Sequence, residues 1–311
     1  MNHDDNNVLW RVLCWNVRAM NSDTKRGPVK AKIVEANCDI IYLQETKTET
    51  FNELFLKIFC PAGFTSFFFK SAIGTAGGLI TIWKSSKFSG KVIDVSDFAL
   101  TIELQSLHNG DSWILSNIYA PSFREGKIEF LSWFESFFVT QNKTWLVAGD
   151  FNLIRKNGDR NKPGADGMLM SLFNEAISAT CLIEIPLLGR KYTWTNNQTP
   201  PLLERLDWFF SSVNWSAAFP NTFATSLVRD TSDHSPCVIS ISTTLPRSNV
   251  FIFANVWIEH RDFKEEVEKA WLTMVNASDK ARKLTAKIKI LREARKDWSG
   301  KILICSYNSK L

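Results

Sequence analysis

Short apolar runs recur along residues 8–241, and turn-forming or polar residues separate many of them. They lie at 8–17, 39–45, 64–70, 78–84, 98–104, 112–119, 144–149, 205–211 and 236–241. Many are rich in Val, Ile, Phe and Trp, the residues that fit a pleated, half-buried surface, so the pattern predicts strands. Three longer stretches, 25–37, 127–140 and 168–180, carry apolar residues every three or four positions and predict helices. Between residues 64 and 119 strands follow one another with no helix between them, which predicts antiparallel meanders. Strands and helices combined in this way predict an α/β fold of two packed mixed sheets flanked by helices.

The pattern breaks at residues 243–249, TTLPRSN, where a Pro and polar residues interrupt the runs. This boundary predicts a main domain over residues 1–244 and a helical tail over 245–311. Within the tail, 262–275 and 279–298 read as helices, with Ser278 or Asp279 as a natural N-cap for the second. On that helix Leu284, Ile288, Leu291 and Trp298 share one face, at spacings of four, three and seven, and Lys and Arg cover much of the rest.

Charge sharpens the division. The chain has 311 residues and a net charge of +5. Residues 245–311 hold 14 Lys/Arg and 8 Asp/Glu, a net of +6, which leaves −1 for the main domain. Two readings of the basic tail stand: a surface for a phosphate-bearing partner, or a solvated helix face. A content of 45% hydrophobic and 13% aromatic residues fits a folded protein. No apolar run approaches the roughly 18–20 residues that cross a bilayer, and the start MNHDDNN is polar and acidic, so a soluble intracellular protein with no membrane partner is expected. The six cysteines form no C-x-x-C pair and read as free, mostly buried thiols.

The chemistry lies where strands end. Glu45 follows Ile40-Ile41-Tyr42-Leu43-Gln44, and Asp150 follows Trp145-Leu146-Val147-Ala148-Gly149. Asp207 falls inside Leu206-Asp207-Trp208-Phe209-Phe210, and Asp233-His234 precede Pro236-Cys237-Val238-Ile239. A charge at the end of an apolar strand is costly unless it is paired or bound to a metal. Any one of the four alone reads as a turn residue or a cap. Four in one chain point instead to an oxygen-ligand cluster for a hard cation, Mg²⁺ or Mn²⁺. An Asp–His pair would fix an imidazole and raise its pKa, favouring the cation that binds phosphate. His3, His108 and His260 read as ordinary surface residues.

Six blocks occur in order: Cys14-Trp15-Asn16-Val17-Arg18, Leu43-Gln44-Glu45-Thr46, Asn117-Ile118-Tyr119-Ala120-Pro121, Gly149-Asp150-Phe151-Asn152, Arg205-Leu206-Asp207 and Ser232-Asp233-His234. Together they resemble the signature of the endonuclease/exonuclease/phosphatase superfamily, whose members include deoxyribonuclease-I-like nucleases and apurinic/apyrimidinic endonucleases. The wording, with KYTWTN and FANVWIEHRDFKEEVEKAW, is most similar to the endonuclease domain of plant non-LTR retrotransposon polyproteins, in which a reverse transcriptase follows.

The resemblance implies a four-layer α/β sandwich and metal-dependent hydrolysis of a phosphodiester in DNA, leaving a 3′-hydroxyl and a 5′-phosphate. Carried over block by block, it places Glu45, Asn16 and Asp233 at a Mg²⁺ or Mn²⁺ centre. It gives Asp150 the attacking water, and gives Asn152 and Tyr119 contacts to that group and the phosphate. Asp207 buttresses His234, which contacts a phosphate oxygen. Ser232 and Thr193 line the substrate. Trp194, in GRKYTWTN beside Arg190 and Lys191, reads as a nucleic-acid contact or as a core residue of a short strand. One departure from the abasic-site enzymes is Arg18, which stands where they carry an acidic residue. It argues against a second metal position and leaves a phosphate contact or a salt bridge as its roles. A phosphatase of inositol phosphates or similar phosphoesters, and a non-catalytic relic that binds DNA, are the alternative functions.

Overall fold

A computed structural model describes residues 10–74, 76–137, 143–242 and 263–274, together with 283, 284, 286, 287, 290 and 291. The contacts divide the chain into two compact units, Met1–Pro246 and Arg247–Leu311.

The first unit is built on two sheets. One has seven strands in the order β10 (Leu187–Leu188), β14 (Phe223–Ser226), β15 (Cys237–Ile241), β1 (Trp10–Asn16), β2 (Ile40–Gln44), β4 (Ala76–Lys84) and β3 (Phe64–Ile73). The other has six: β5 (Phe88–Val95), β6 (Ala99–Ser106), β7 (Ser112–Tyr119), β8 (Trp145–Asp150), β13 (Asp207–Ser211) and β9 (Ile183–Glu184). A two-stranded ribbon joins β11 (Trp194–Thr195) to β12 (Leu203–Glu204). Both large sheets are mixed. β1 runs parallel to β2, β7 to β8 and β10 to β14, while the other pairs, including the predicted meanders β3–β4 and β5–β6–β7, are antiparallel.

Three apolar clusters explain the layering. Val12, Cys14 and Tyr42 of the seven-stranded sheet pack with Leu100, Ile102, Leu115, Leu146 and Phe209 of the six-stranded one. The opposite face of the six-stranded sheet is covered by α3 (Arg124–Ser136) and α4 (Gly167–Ala179), whose Phe130, Phe134 and Phe173 meet Val147, Trp208 and Phe210. The other outer face is covered by α1 (Asp23–Ala36) and α2 (Glu53–Phe59) through Val29, Ile33, Leu56 and Phe59 against Leu13, Trp15, Ile41 and Leu43. Helix, sheet, sheet and helix stack in four layers. The central strands, apolar on both faces, read as unbroken runs because neither face meets water.

The predicted elements over residues 8–241 are present with shifted ends. β13 begins at Asp207 rather than 205, and α3 begins at Arg124, three residues before the predicted 127. Further elements gave no clear pattern: the short strands β9, β10, β12 and β14, and α2, β5 and α5. α2 has two turns; its start is fixed by the Asn52 side chain, which accepts from the Phe55 amide at 2.8 Å. β5 is an edge strand whose Lys91 and Asp94 interrupt its apolar run. α5 (Val213–Ala218) has six residues, below the length at which a period can be read. Of the described cysteines, Cys14, Cys38, Cys60 and Cys237 are free and buried and Cys181 is free and exposed, in line with the expected mostly buried thiols.

In the second unit α6 (Phe263–Leu272) matches the middle of the predicted 262–275 helix. Of the predicted 279–298 helix, Lys283, Leu284, Ala286, Lys287, Ile290 and Leu291 are helical, and Ile288 and Trp298 lie outside the described residues. Cys305, His3 and His260 lie outside them too. Among the described residues, no helix is long and apolar enough to cross a membrane.

Candidate active site

Strand polarity gathers the predicted residues at one end of both sheets. Asn16 closes β1 and Glu45 follows β2; because these strands are parallel, both residues emerge together. Tyr119 closes β7 beside Asp150, the last residue of its parallel neighbour β8. β13 runs antiparallel to β8, so its first residue, Asp207, pairs in register with Asp150. His234 leads into β15, antiparallel to β1, and so returns to the same end. Asn16, Glu45, Tyr119, Asp150, Asn152 and His234 line one cavity of about 280 Å³, together with Arg18 and Trp194.

Backbone bonds hold the rim. After β2 the chain turns through left-handed conformations at Glu45 and Lys47, each at φ +52. Side chains rarely adopt that region unless the surroundings enforce it. Here the enforcement is two-sided. The amides of Ala19 and Met20 donate to the carbonyls of Glu45 and Thr46, while the amides of Thr46 and Lys47 donate to the carbonyls of Gly78 and Gly77. Gly78 sits so close that a Cβ would fall 2.4 Å from Thr46 Oγ1. Gly149, just before Asp150, is needed for the same reason: a Cβ there would fall 2.0 Å from the Ile118 carbonyl oxygen on β7. Arg18 and Asn152 are left-handed too, each at φ +50, and at Asn152 this folds the amide back onto Asp150.

Asp150 is the hub. Its Oδ2 accepts from Asn16 Nδ2 at 2.8 Å and Asn152 Nδ2 at 3.2 Å, and its Oδ1 accepts from the Asn152 amide at 3.0 Å. On its other side stands the His234 ring, Nε2 at 3.5 Å from Oδ2, with Nδ1 at 2.9 Å from Asp207 Oδ2. All three groups are buried. Burial pushes the Asp150 carboxyl up from its ordinary value, against the neighbouring imidazole and the hydrogen bonds that favour the anion. For His234 burial opposes the charge, but Asp207 and Asp150 outweigh it and push the imidazole up to about 9. At neutral pH the ring is therefore a buried cation between two carboxylates. Tyr119 stays a phenol well above its ordinary value, because burial and the nearby Glu45 and Asp150 disfavour the phenolate.

Asp150, Asp207 and His234 also form a buried group whose ligand atoms lie within 4.8 Å of one another, a spacing that could hold a metal. An imidazolium between the two carboxylates already satisfies all three. The donors at the mouth of the cavity suit a hard cation better, because the Glu45 carboxylate and the Asn16 amide carbonyl supply oxygen. Glu45 is largely buried, and Lys47 Nζ at 3.2 Å and Arg18 Nε at 3.9 Å answer its charge, so a metal there would share the carboxylate with them.

Three sequence-based assignments change. Asp233 is not a free ligand: its Oδ2 accepts from Arg18 Nη1 at 2.5 Å and Trp194 Nε1 at 2.8 Å, so it anchors both instead of facing a metal. Thr193 is fully buried, and its Oγ1 accepts from the Leu206 and Asp207 amides, each at 3.1 Å; it fixes the start of β13 and cannot touch a substrate. Ser232 is buried as well, donating to the Asn16 carbonyl at 2.7 Å and accepting from the His234 amide at 3.1 Å, which ties the His234 loop to β1. Arg18 forms the salt bridge that was one of its two readings, and Trp194 is half-buried at the cavity rim rather than in the core. His108 is exposed as expected.

Several contributing residues had no role assigned from sequence. Gln44 Nε2 donates to Asn117 Oδ1 at 2.7 Å, and Asn117 Nδ2 to the Ile80 carbonyl at 3.1 Å, a buried polar clamp that aligns the two sheets directly beneath the site. Asn117 sat in plain view in the Asn117-Ile118-Tyr119 block, and its polarity inside an apolar strand was the available signal. Lys47, Lys127 and Glu204 were equally silent, since an isolated Lys or Glu on a loop or helix looks like any solvated charge.

A family model matches residues 13–234, described as the Endonuclease/Exonuclease/phosphatase family. The chain belongs to this family. Its members are hydrolases of phosphoester bonds and are typically dependent on a divalent metal. No curated protein matches the chain in sequence. Among solved structures it is similar to the AP endonuclease LMAP from Leishmania major, with 16% identity and a TM-score of 0.59 over 75% of this chain and 88% of that one. It is also similar to the endonuclease domain of TRAS1, a telomere-specific non-LTR retrotransposon, with 14% identity and a TM-score of 0.56 over 75% and 98%. The 3′ phosphatase NExo from Neisseria, bound to a product DNA hairpin, gives 16% identity and a TM-score of 0.56 over 75% and 99%. At such identities the likeness establishes the shared α/β sandwich.

Proposed function

We propose that this chain is a metal-dependent endonuclease that hydrolyses a phosphodiester bond in DNA, leaving a 3′-hydroxyl and a 5′-phosphate, as a retrotransposon nicks its target. The observation that carries the reading is the buried Asp207–His234–Asp150 series set at the floor of a cavity whose mouth is Glu45. A Mg²⁺ or Mn²⁺ held by Glu45 and Asn16 would supply charge neutralisation to the phosphate and the leaving oxygen.

The chain's own groups do the rest. Asp150 has three donors holding its carboxylate and a raised pKa, the two properties a base needs to orient a water and take its proton near neutral pH. Asn152 keeps that carboxylate in place, with its Nδ2 also donating to the Ala120 carbonyl at 2.8 Å. His234, kept cationic by Asp207, offers a positive charge to a non-bridging phosphate oxygen. Tyr119, kept neutral, offers a hydroxyl donor to the same phosphate. Trp194 and Arg18, held together by Asp233, form a rim of aromatic and cationic surface suited to a nucleotide. The relation to plant non-LTR retrotransposons rests on the sequence blocks alone.

The decisive experiment is nicking of supercoiled plasmid by purified protein. Open circles are expected with Mg²⁺ or Mn²⁺ and none with EDTA; nicking that survives EDTA would overturn the metal reading, and a protein that releases phosphate from monoesters but leaves plasmid intact would be a phosphatase instead.

The tail from residue 245, with its net of +6, is proposed to add phosphate contacts to a catalytic domain that lacks basic excess. A chain ending at Thr244 should still nick at raised protein concentration. It should bind duplex more weakly, with a shallower dependence on salt, each lost phosphate contact removing about 0.9 from the log–log slope. An unchanged slope would refute the role.

A further inference from the structure

A second cavity, of about 130 Å³, opens beside the catalytic one, and the two share Lys127, Asn152, Glu204 and Leu206 as lining. They form adjoining compartments of one cleft, and Lys127 stands at the junction. It lies in the first turn of α3, is partly buried, and has no carboxylate of the described residues within salt-bridge distance, although Glu204 lines both cavities with it. Glu204 is already engaged by Arg160 Nη1 at 3.0 Å. Half-burying an ammonium with no salt-bridge partner costs stability, and burial pushes Lys127 below its ordinary value although Glu204 and Asp150 favour its charge. A lysine kept in such a place is matched by an anion that arrives with the substrate. The reacting phosphate has Tyr119 and His234 to meet it, so the anion beside Lys127 is a different one.

We propose that Lys127 binds the backbone phosphate adjacent to the scissile one, making this cleft a subsite for a polynucleotide strand rather than for an isolated phosphoester. The inference rests on the endonuclease reading given above and deepens it by naming what the cleft holds. In a nucleic acid consecutive phosphates are charged at every step along the strand, so a substrate lying across the cleft would carry an anion into both compartments. A free phosphomonoester would fill only one.

The test compares the full chain with Lys127→Gln and Lys127→Arg, reading duplex binding against salt and plasmid nicking in parallel, with thermal unfolding of each protein as the check on folding. For Lys127→Gln the log–log salt slope should fall by about 0.9, and KM for nicking should rise about tenfold, the range of one charged hydrogen bond. Lys127→Arg, which keeps the charge, should retain the wild-type slope and most of the affinity. Wild-type nicking with an unchanged slope and KM in a folded Lys127→Gln protein would overturn the proposal, as would a loss that falls on kcat alone, which would put Lys127 at the reacting phosphate. If the wild type fails to nick, the endonuclease reading is wrong, and the salt slope still decides whether Lys127 contacts a backbone phosphate.

Discussion

Asp150→Asn is expected to lower the single-turnover rate of plasmid nicking by about 10²–10⁴-fold, the span general-base and electrostatic contributions cover. The substitution keeps size and shape but removes the charge that would hold a proton in the transition state. It also turns one acceptor into a donor. Oδ2 now accepts from Asn16 and Asn152 and faces the His234 ring, so an amide group in that position would meet donors on every side. The loss should appear in chemistry rather than in folding. Burial makes the Asp150 anion unfavourable in the folded chain, and groups tuned for function commonly cost stability rather than add it. Nicking rates under single-turnover conditions, with circular dichroism and thermal melting alongside, separate the two effects. A variant that cleaves within a few-fold of wild type while fully folded would remove Asp150 from the role of base.

Much of this site could be read before the fold. Six blocks in order named the residues now found at one cavity, and strand-end carboxylates were visible because charge is conspicuous at the end of an apolar run. What the sequence could not supply was direction. Asp207 read as sitting inside a strand; only the antiparallel pairing of β13 with β8 makes it the first residue and sets it against Asp150. Thr193 and Ser232 read as substrate-lining through the family resemblance alone. Both instead spend their hydroxyls on backbone groups, Thr193 on the Leu206 and Asp207 amides and Ser232 on the Asn16 carbonyl. Asp233 read as a metal ligand through the family resemblance, yet it lies in the bend before β15. It turns toward Arg18 and Trp194. The elements that went unpredicted, α2, α5, β5 and the strands β9, β10, β12 and β14 of two to four residues, are short or at an edge, where periodicity has too few residues to register and packing decides.

Asp207→Asn is expected to act almost entirely through His234, and its signature is a change in pH dependence. In the wild type, burial alone would hold the imidazole neutral at pH 7; the two carboxylates reverse this and carry its pKa to about 9. Rate should therefore rise with pH as Asp150 loses its proton, and fall again above about 9 as His234 loses its own. Removing the Asp207 charge takes away the strongest of the charges that favour the cation, while burial remains. The imidazole pKa drops, and the alkaline limb of the kcat/KM profile should move by at least one unit toward neutrality. At pH 7 to 8 a growing share of the protein would carry a neutral ring, with a rate loss on the order of 10²-fold. Stability gives an independent reading with a defined sign. A histidine whose folded pKa is raised stabilises the fold fully below its unfolded pKa, and that contribution is lost as pH rises through the folded value. The wild type should thus lose melting temperature between roughly pH 6.5 and 9, whereas in Asp207→Asn this loss should shrink. Profiles of rate and melting temperature measured on the same preparations test both together. An alkaline limb that stays near 9 in the variant would mean that Asp150, not Asp207, keeps the imidazole charged.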